Sequence, residues 1–112
     1  MYAPCPFSAA AKEREQMPGI TIVATITVKR ETASIARNEL IKLVAPSRKE
    51  SGCIEYILHQ DSDSPERFVF YEIWESAAHL EDHKNSDHYR KFSNAIEGMI
   101  ETRSLNKLTR IA

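Results

Sequence analysis

Residues 20–28 read ITIVATITV, and no other run constrains the fold as tightly. A period of two and strong β-branched enrichment set Ile20, Ile22, Ala24, Ile26 and Val28 on one side of a strand, with Thr21, Val23, Thr25 and Thr27 on the other. Both sides carry apolar residues, so the strand belongs within a sheet that is at least partly covered on each face. The rest of the chain has to supply that cover.

Residues 33–45 place Ala36, Leu40, Leu43 and Val44 at helical spacing with Arg37, Glu39 and Lys42 turned away, which predicts a helix. Pro46 has no N–H for the carbonyl of Lys42, so the helix is expected to kink or stop there before Gly52 ends the segment. Cys53–Gln60 and Arg67–Trp74 both alternate, and the polar DSDSPE between them predicts an antiparallel hairpin. Ser76 is the expected N-cap of a short helix through His83. Ser86 is the expected N-cap of a second helix, whose apolar stripe runs Tyr89, Phe92, Ile96, Met99 and Ile100. The tail from Arg103 to Ile111 alternates weakly and reads as a polar edge strand.

The order βαββαβ predicts an α+β, ferredoxin-like fold in which helices cover one face of a four-stranded antiparallel sheet. Val23, Ile57, Val69, Tyr71 and Ile73 would then lie on the uncovered face, an apolar patch that a lone protomer leaves in water. A homodimer through the sheet face is the expected remedy.

With 112 residues the chain is expected to hold one domain, 18–112, behind an N-terminal extension, 1–17, with Met17 as an alternative start. Fifteen basic against sixteen acidic residues give a net charge of −1, which offers nothing to neutralise a phosphate backbone; no nucleic acid is expected as a partner. No apolar run approaches the roughly 18 residues of a membrane span, and residues 1–16 lack the pattern of a secretory signal. Cys5 and Cys53 form neither a disulfide framework nor a metal spacing, which suits a reducing cytoplasm. No membrane partner is expected.

Three segments together carry more than a generic pattern: SRKESGCIEY at 47–56, FYEIWES at 70–76 and AHLEDHKNSDHYRKF at 78–92. They resemble the antibiotic biosynthesis monooxygenase family. An acidic residue and Gly-Cys enter the second strand, Glu-x-Trp ends the third, and a His precedes a Ser-x-His step into the last helix. Trp74 to His83 is most similar to the quinol monooxygenase branch. The resemblance implies the dimeric α/β-barrel superfamily, a pocket between helices and sheet, and oxidation of small quinol or polyphenolic, polyketide-like compounds by dioxygen, independently of metal or flavin. It departs from polyketide-oxidising relatives at Phe70, where they carry Asn. It departs from the haem-degrading branch at His83, where that branch has Trp.

Such chemistry asks for a base near neutrality, a group that tunes it, and an aromatic box, because an electron-rich phenolate can itself reduce dioxygen. His83 is the expected base, at the position of the family's helix His, with Glu72 its expected partner and Trp74 expected to orient the substrate ring. Phe68, Phe70, Tyr56 and Phe92 are the expected substrate-binding aromatics, and no cofactor is expected. His79 and His83 share a helix face with His88 close behind, but no spaced Cys or HExxH accompanies them, so no metal site is expected. Cys53 reads as a small strand residue, not a nucleophile. The same acid–base pair would serve a small hydroxy-ketone isomerase, and the same pocket a non-catalytic metabolite-binding module.

Overall fold

The computed structural model describes residues 19–112, so the expected extension 1–17 and Cys5 lie outside the described residues. Strand β1 (Ile20–Val28) leads through a 3-10 turn into helix α1 (Ala33–Arg48), followed by strands β2 (Cys53–Gln60) and β3 (Arg67–Trp74). Helices α2 (Ala77–Lys84) and α3 (Asp87–Ile96), a second 3-10 turn and strand β4 (Ile100–Leu108) complete the domain. The four strands form one antiparallel sheet in the order β2-β3-β1-β4, the ferredoxin-like α+β fold. Among the described residues no helix is long and apolar enough to cross a membrane.

Strand pairing divides the side chains as the period of two requires. Ile22, Ile26 and Val28 of β1, Phe68, Phe70 and Trp74 of β3 and Tyr56 of β2 are buried on the helix-facing side. Ala36, Leu40 and Leu43 of α1, Leu80 of α2, and Phe92 and Ile96 of α3 close the core over them. Burying side chains of this size contributes about 1.5–3 kcal/mol each. On the opposite face Val23 pairs directly with Tyr71 and Tyr71 with Ile57, so three apolar residues stand in one row across the sheet.

Helix α1 does not stop at Pro46; it continues to Arg48. The proline forfeits the bond to the Lys42 carbonyl, but only Ser47 and Arg48 of the helix lie beyond it, so little of the helix has to adjust, and Ser47 stays buried. The stripe of α3 is shorter than its apolar spacing suggests, because the helix ends at Ile96. Met99 lies in the 3-10 turn and Ile100 already begins β4. That strand therefore starts ahead of Arg103 and ends at Leu108, and Ile111 is outside it. Pairing with β1 decides the matter: Val28 opposes Ile100 and Thr21 opposes Leu108.

Candidate active site

Local structure explains why the acidic-Gly-Cys motif precedes β2. After α1, Glu50 N–H donates to the Ser47 carbonyl, and Gly52 adopts φ +84° to turn the chain into the strand. A side chain is disfavoured there on two counts, since that φ suits glycine and a Cβ would overlap the ring of His79. Gly52 in turn accepts from Glu75 N–H at 2.8 Å, which ties the turn to the entrance of α2. Glu50 is thereby held in the turn that leads into the start of β2.

The Ser and His motifs act as caps that aim imidazoles. Ser76 Oγ accepts from the backbone N–H of His79 and lies 2.7 Å from that ring's Nδ1. Ser86 Oγ donates to the His83 carbonyl at 2.7 Å and accepts from Tyr89 N–H, ending α2 and starting α3 in one residue. His88 sits in the first turn of α3 and reaches back to the same carboxylate as His83.

The centre is built on Glu50. His83 Nδ1 lies 2.6 Å, and His88 Nε2 2.7 Å, from Glu50 Oε2. A carboxylate only accepts, so each of these nitrogens carries the hydrogen. His83 Nε2 is left as the lone-pair nitrogen, 3.5 Å from the Tyr56 hydroxyl. The His83 ring is 2% exposed and packed between Trp74, with centroids 4.7 Å apart, Tyr56 at 5.3 Å and Tyr89 at 5.1 Å. Burial lowers its pKa from the ordinary imidazole value, against the opposing pull of Glu50, so the neutral form is favoured. Burial pushes the Tyr56 phenol far above its ordinary range, which keeps it a neutral hydroxyl.

Glu72 is not the hydrogen-bond partner of His83. Its Oε1 accepts from Trp74 Nε1 at 2.9 Å, two positions along the same strand face, while Glu50 takes the place expected for it. Desolvation raises the Glu72 pKa, with the indole hydrogen bond working against that rise. Glu50 stood inside the quoted SRKESGCIEY motif, but only the fold shows that it meets His83 across 33 positions of sequence.

A cleft opens beside His83 between the helix-facing side of the sheet and α2 and α3. Tyr56, Phe70, Glu72, His83 and Phe92 line it. Phe68 and Trp74 do not. Phe68 is 1% exposed in the core, and Trp74 backs His83 and Glu72 without reaching the wall, so its expected contact with a substrate ring is replaced by support of those two side chains. Lys84, Tyr89 and Arg103 also line it. Lys84 and Arg103 lie at a charged helix end and in a polar tail, which carry no signal in the sequence, and Tyr89 reads there only as part of an apolar helix stripe. Arg103 Nη2 donates to Tyr89 Oη at 2.7 Å across the mouth, joining β4 to α3. The space within it is about 30 Å³, enough for water or dioxygen. A ring-sized ligand requires the rim to part, since drug-sized pockets measure about 300–1,000 Å³.

Cys53 is half-buried, and desolvation with nearby carboxylates raises its thiol to about 11, so it is not a nucleophile at neutral pH. His79, placed in the sequence as a possible ligand beside His83, is occupied by Ser76. Glu50, His83 and His88 instead bring three ligand-type atoms within 4.8 Å of one another.

Comparison with known proteins agrees with this architecture. A crystal structure of PA3566 from Pseudomonas aeruginosa superposes with a TM-score of 0.81 at 39% identity, covering 84% of this chain and 95% of that one. YgiN of Escherichia coli K12, described as a probable quinol monooxygenase, is 30% identical over 89 residues, covering 70% of this chain and 86% of YgiN. The uncharacterized protein sll1783 of Synechocystis is 28% identical over 97 residues; the match takes in 83% of this chain but only 63% of that longer protein. Residues 19–95 match the model of the antibiotic biosynthesis monooxygenase family, a span that takes in β1 to β3, the Glu50 turn and both imidazoles of the site. The chain belongs to the antibiotic biosynthesis monooxygenase family.

Proposed function

We propose that the protein is a monooxygenase that oxidises a small quinol or polyphenol with dioxygen, drawing its electrons from the substrate and needing neither metal nor flavin. The observation that carries this reading is the orientation of His83: Nδ1–H is held by Glu50, and the basic Nε2 is turned toward Tyr56 beside an aromatic cleft. Nε2 takes the proton of a phenolic hydroxyl, and Glu50 stabilises the resulting imidazolium. The phenolate passes one electron to dioxygen. The caged radicals recombine at a ring C–H carbon as a hydroperoxide, which loses water to leave a carbonyl. One oxygen atom enters the product and the other leaves as water. Phe70 and Phe92 supply the dry walls that make the phenolate reducing.

A dimer through the open sheet face belongs to this proposal, because the Ile57–Tyr71–Val23 row is apolar and only partly covered in one protomer. A reducing cytoplasm suits the free thiol of Cys53.

The test is oxygen uptake by metal-stripped, flavin-free protein over a panel of reduced naphthoquinols and hydroxyanthrones, with autoxidation subtracted. Protein-dependent uptake with an oxygenated product, reduced about 10²–10⁴-fold in His83→Ala, is the expected result. Full turnover in that variant removes His83 as the base. Turnover of a hydroxy-ketone that is equal with and without oxygen identifies an isomerase instead, and ligand-induced thermal stabilisation without any product identifies a binding module.

A further inference from the structure

We propose that Glu50, His83 and His88 form a binding site for a borderline divalent transition metal of the Zn²⁺ class, and that the bound ion switches off the base on which the proposed function rests. Two imidazole nitrogens and a carboxylate are the donor set such ions prefer, and they converge here from three separate segments: the turn before β2, the end of α2 and the start of α3. Both imidazoles point at one oxygen, Glu50 Oε2, at 2.6 and 2.7 Å. Ligand atoms around a tetrahedral zinc stand about 3.3 Å apart, so each of these contacts has to open by about 0.6–0.7 Å while the two nitrogens, within 4.8 Å of each other, settle to the same separation. On each imidazole the ion takes the place of the hydrogen at the coordinating nitrogen, and that hydrogen moves to the ring's other nitrogen, so both rings stay neutral.

Access and support are also present. The side chains of Glu50 and His88 are 14% and 25% exposed while that of His83 is 2%, so the cluster opens outward and leaves its remaining coordination positions to water. His79 is held by Ser76 and does not compete. Lys84, which follows His83, is a cation that opposes the ion. With three protein ligands, the site is expected to bind less tightly than a four-ligand structural zinc site.

The consequence for His83 follows from tautomer chemistry. Without metal, Nδ1 bears the hydrogen and Nε2 is the free base. With metal on Nδ1 the neutral ring must carry its hydrogen on Nε2, which then donates to the Tyr56 oxygen 3.5 Å away and accepts nothing from a substrate. One ring cannot coordinate through Nδ1 as a neutral ligand and also act as a base through Nε2.

The experiment uses the full chain, stripped with chelator and titrated with Co²⁺ and then Zn²⁺ alone, with no substrate present. One Co²⁺ per chain with visible d–d absorption, displaced by Zn²⁺, is expected. His88→Asn, at the outer edge of the cluster, and Glu50→Gln should each weaken binding by about tenfold or more, whereas His59→Asn should not. Histidine ¹⁵N spectra should show the His83 hydrogen moving from Nδ1 to Nε2 as Zn²⁺ is added. Circular dichroism of each variant separates lost binding from lost fold. Absence of stoichiometric Co²⁺ binding, or binding unchanged in folded His88→Asn, overturns the site; an unmoved His83 hydrogen overturns the switch. Because these readouts need no turnover, they stand or fall apart from the oxygenase reading, and inhibition by Zn²⁺ reversed by chelator joins the two only once a substrate is known.

Discussion

His83 and Glu50 lie 33 positions apart in the chain and meet at 2.6 Å, and this contact decides which nitrogen of the imidazole is basic. Glu50 accepts from Nδ1, so Nε2 faces Tyr56 and the cleft with its lone pair available. The ring is held in place by the Trp74, Tyr56 and Tyr89 rings packed around it.

The pH dependence of turnover follows from the burial of that ring. The His83 pKa is lowered from 6.5, chiefly by desolvation, so the base stays neutral below that value. In metal-free protein the acid limb of kcat/KM should therefore lie below pH 6.5. A limb at or above it would mean that solvent or Glu50 outweighs burial.

Trp74 and Glu72 should behave as a coupled pair. Trp74→Phe removes the indole N–H and leaves a buried carboxyl without its donor, which costs about 1–3 kcal/mol beyond the lost volume. Glu72→Gln should recover part of that loss in the double variant, so a denaturation cycle should give a clear interaction energy. Strict additivity would mean that the hydrogen bond contributes nothing.

Glu72 also sets a stability dependence on pH. Its folded pKa is raised from 4.5, mainly by burial, so above that pH the unfolded state releases a proton that the folded state retains. Stability from this group is complete below 4.5 and is lost as pH rises through the folded pKa. Thermal melts should show Glu72→Gln gaining on the parent as pH rises above 4.5, with the gain vanishing below it. A gain independent of pH would assign the effect to packing.

Gly52→Ala tests the turn that presents Glu50. The φ of +84° alone should cost about 1–2 kcal/mol in urea denaturation, and overlap with the His79 ring adds to it. Adding His79→Ala should relieve the overlap and leave the backbone penalty. Equal stability of Gly52→Ala and the parent would show that the turn relaxes freely.

The open sheet face gives a prediction about assembly. Light scattering at micromolar concentration should find a dimer, and Tyr71→Glu, in the middle of the Ile57–Tyr71–Val23 row, should find a folded monomer. A monomeric parent chain would remove the dimer from the proposal.

Periodicity and capping made most of the fold legible in advance. The alternation of ITIVATITV, the DSDSPE hairpin, and Ser76 and Ser86 as N-caps are local features, decided by steric preference and by hydrogen bonds within a few residues. Where a boundary depended on a distant partner it moved. Pro46 stayed inside α1 because only its last turn was at stake, and β4 took its limits from β1. The site divides the same way. His83 was visible as an imidazole of suitable chemistry on a short helix, but its partner was not, because Glu50 and Glu72 offer the same carboxylate chemistry. The choice between them rests on the turn at Gly52, which carries Glu50 to Nδ1, and on the strand pleat, which sets Glu72 and Trp74 two residues apart on one face. The sequence determined the elements and the kinds of side chain they bear; the tertiary structure decided which carboxylate meets which ring, because side chains far apart in sequence meet only when the packed elements bring them together.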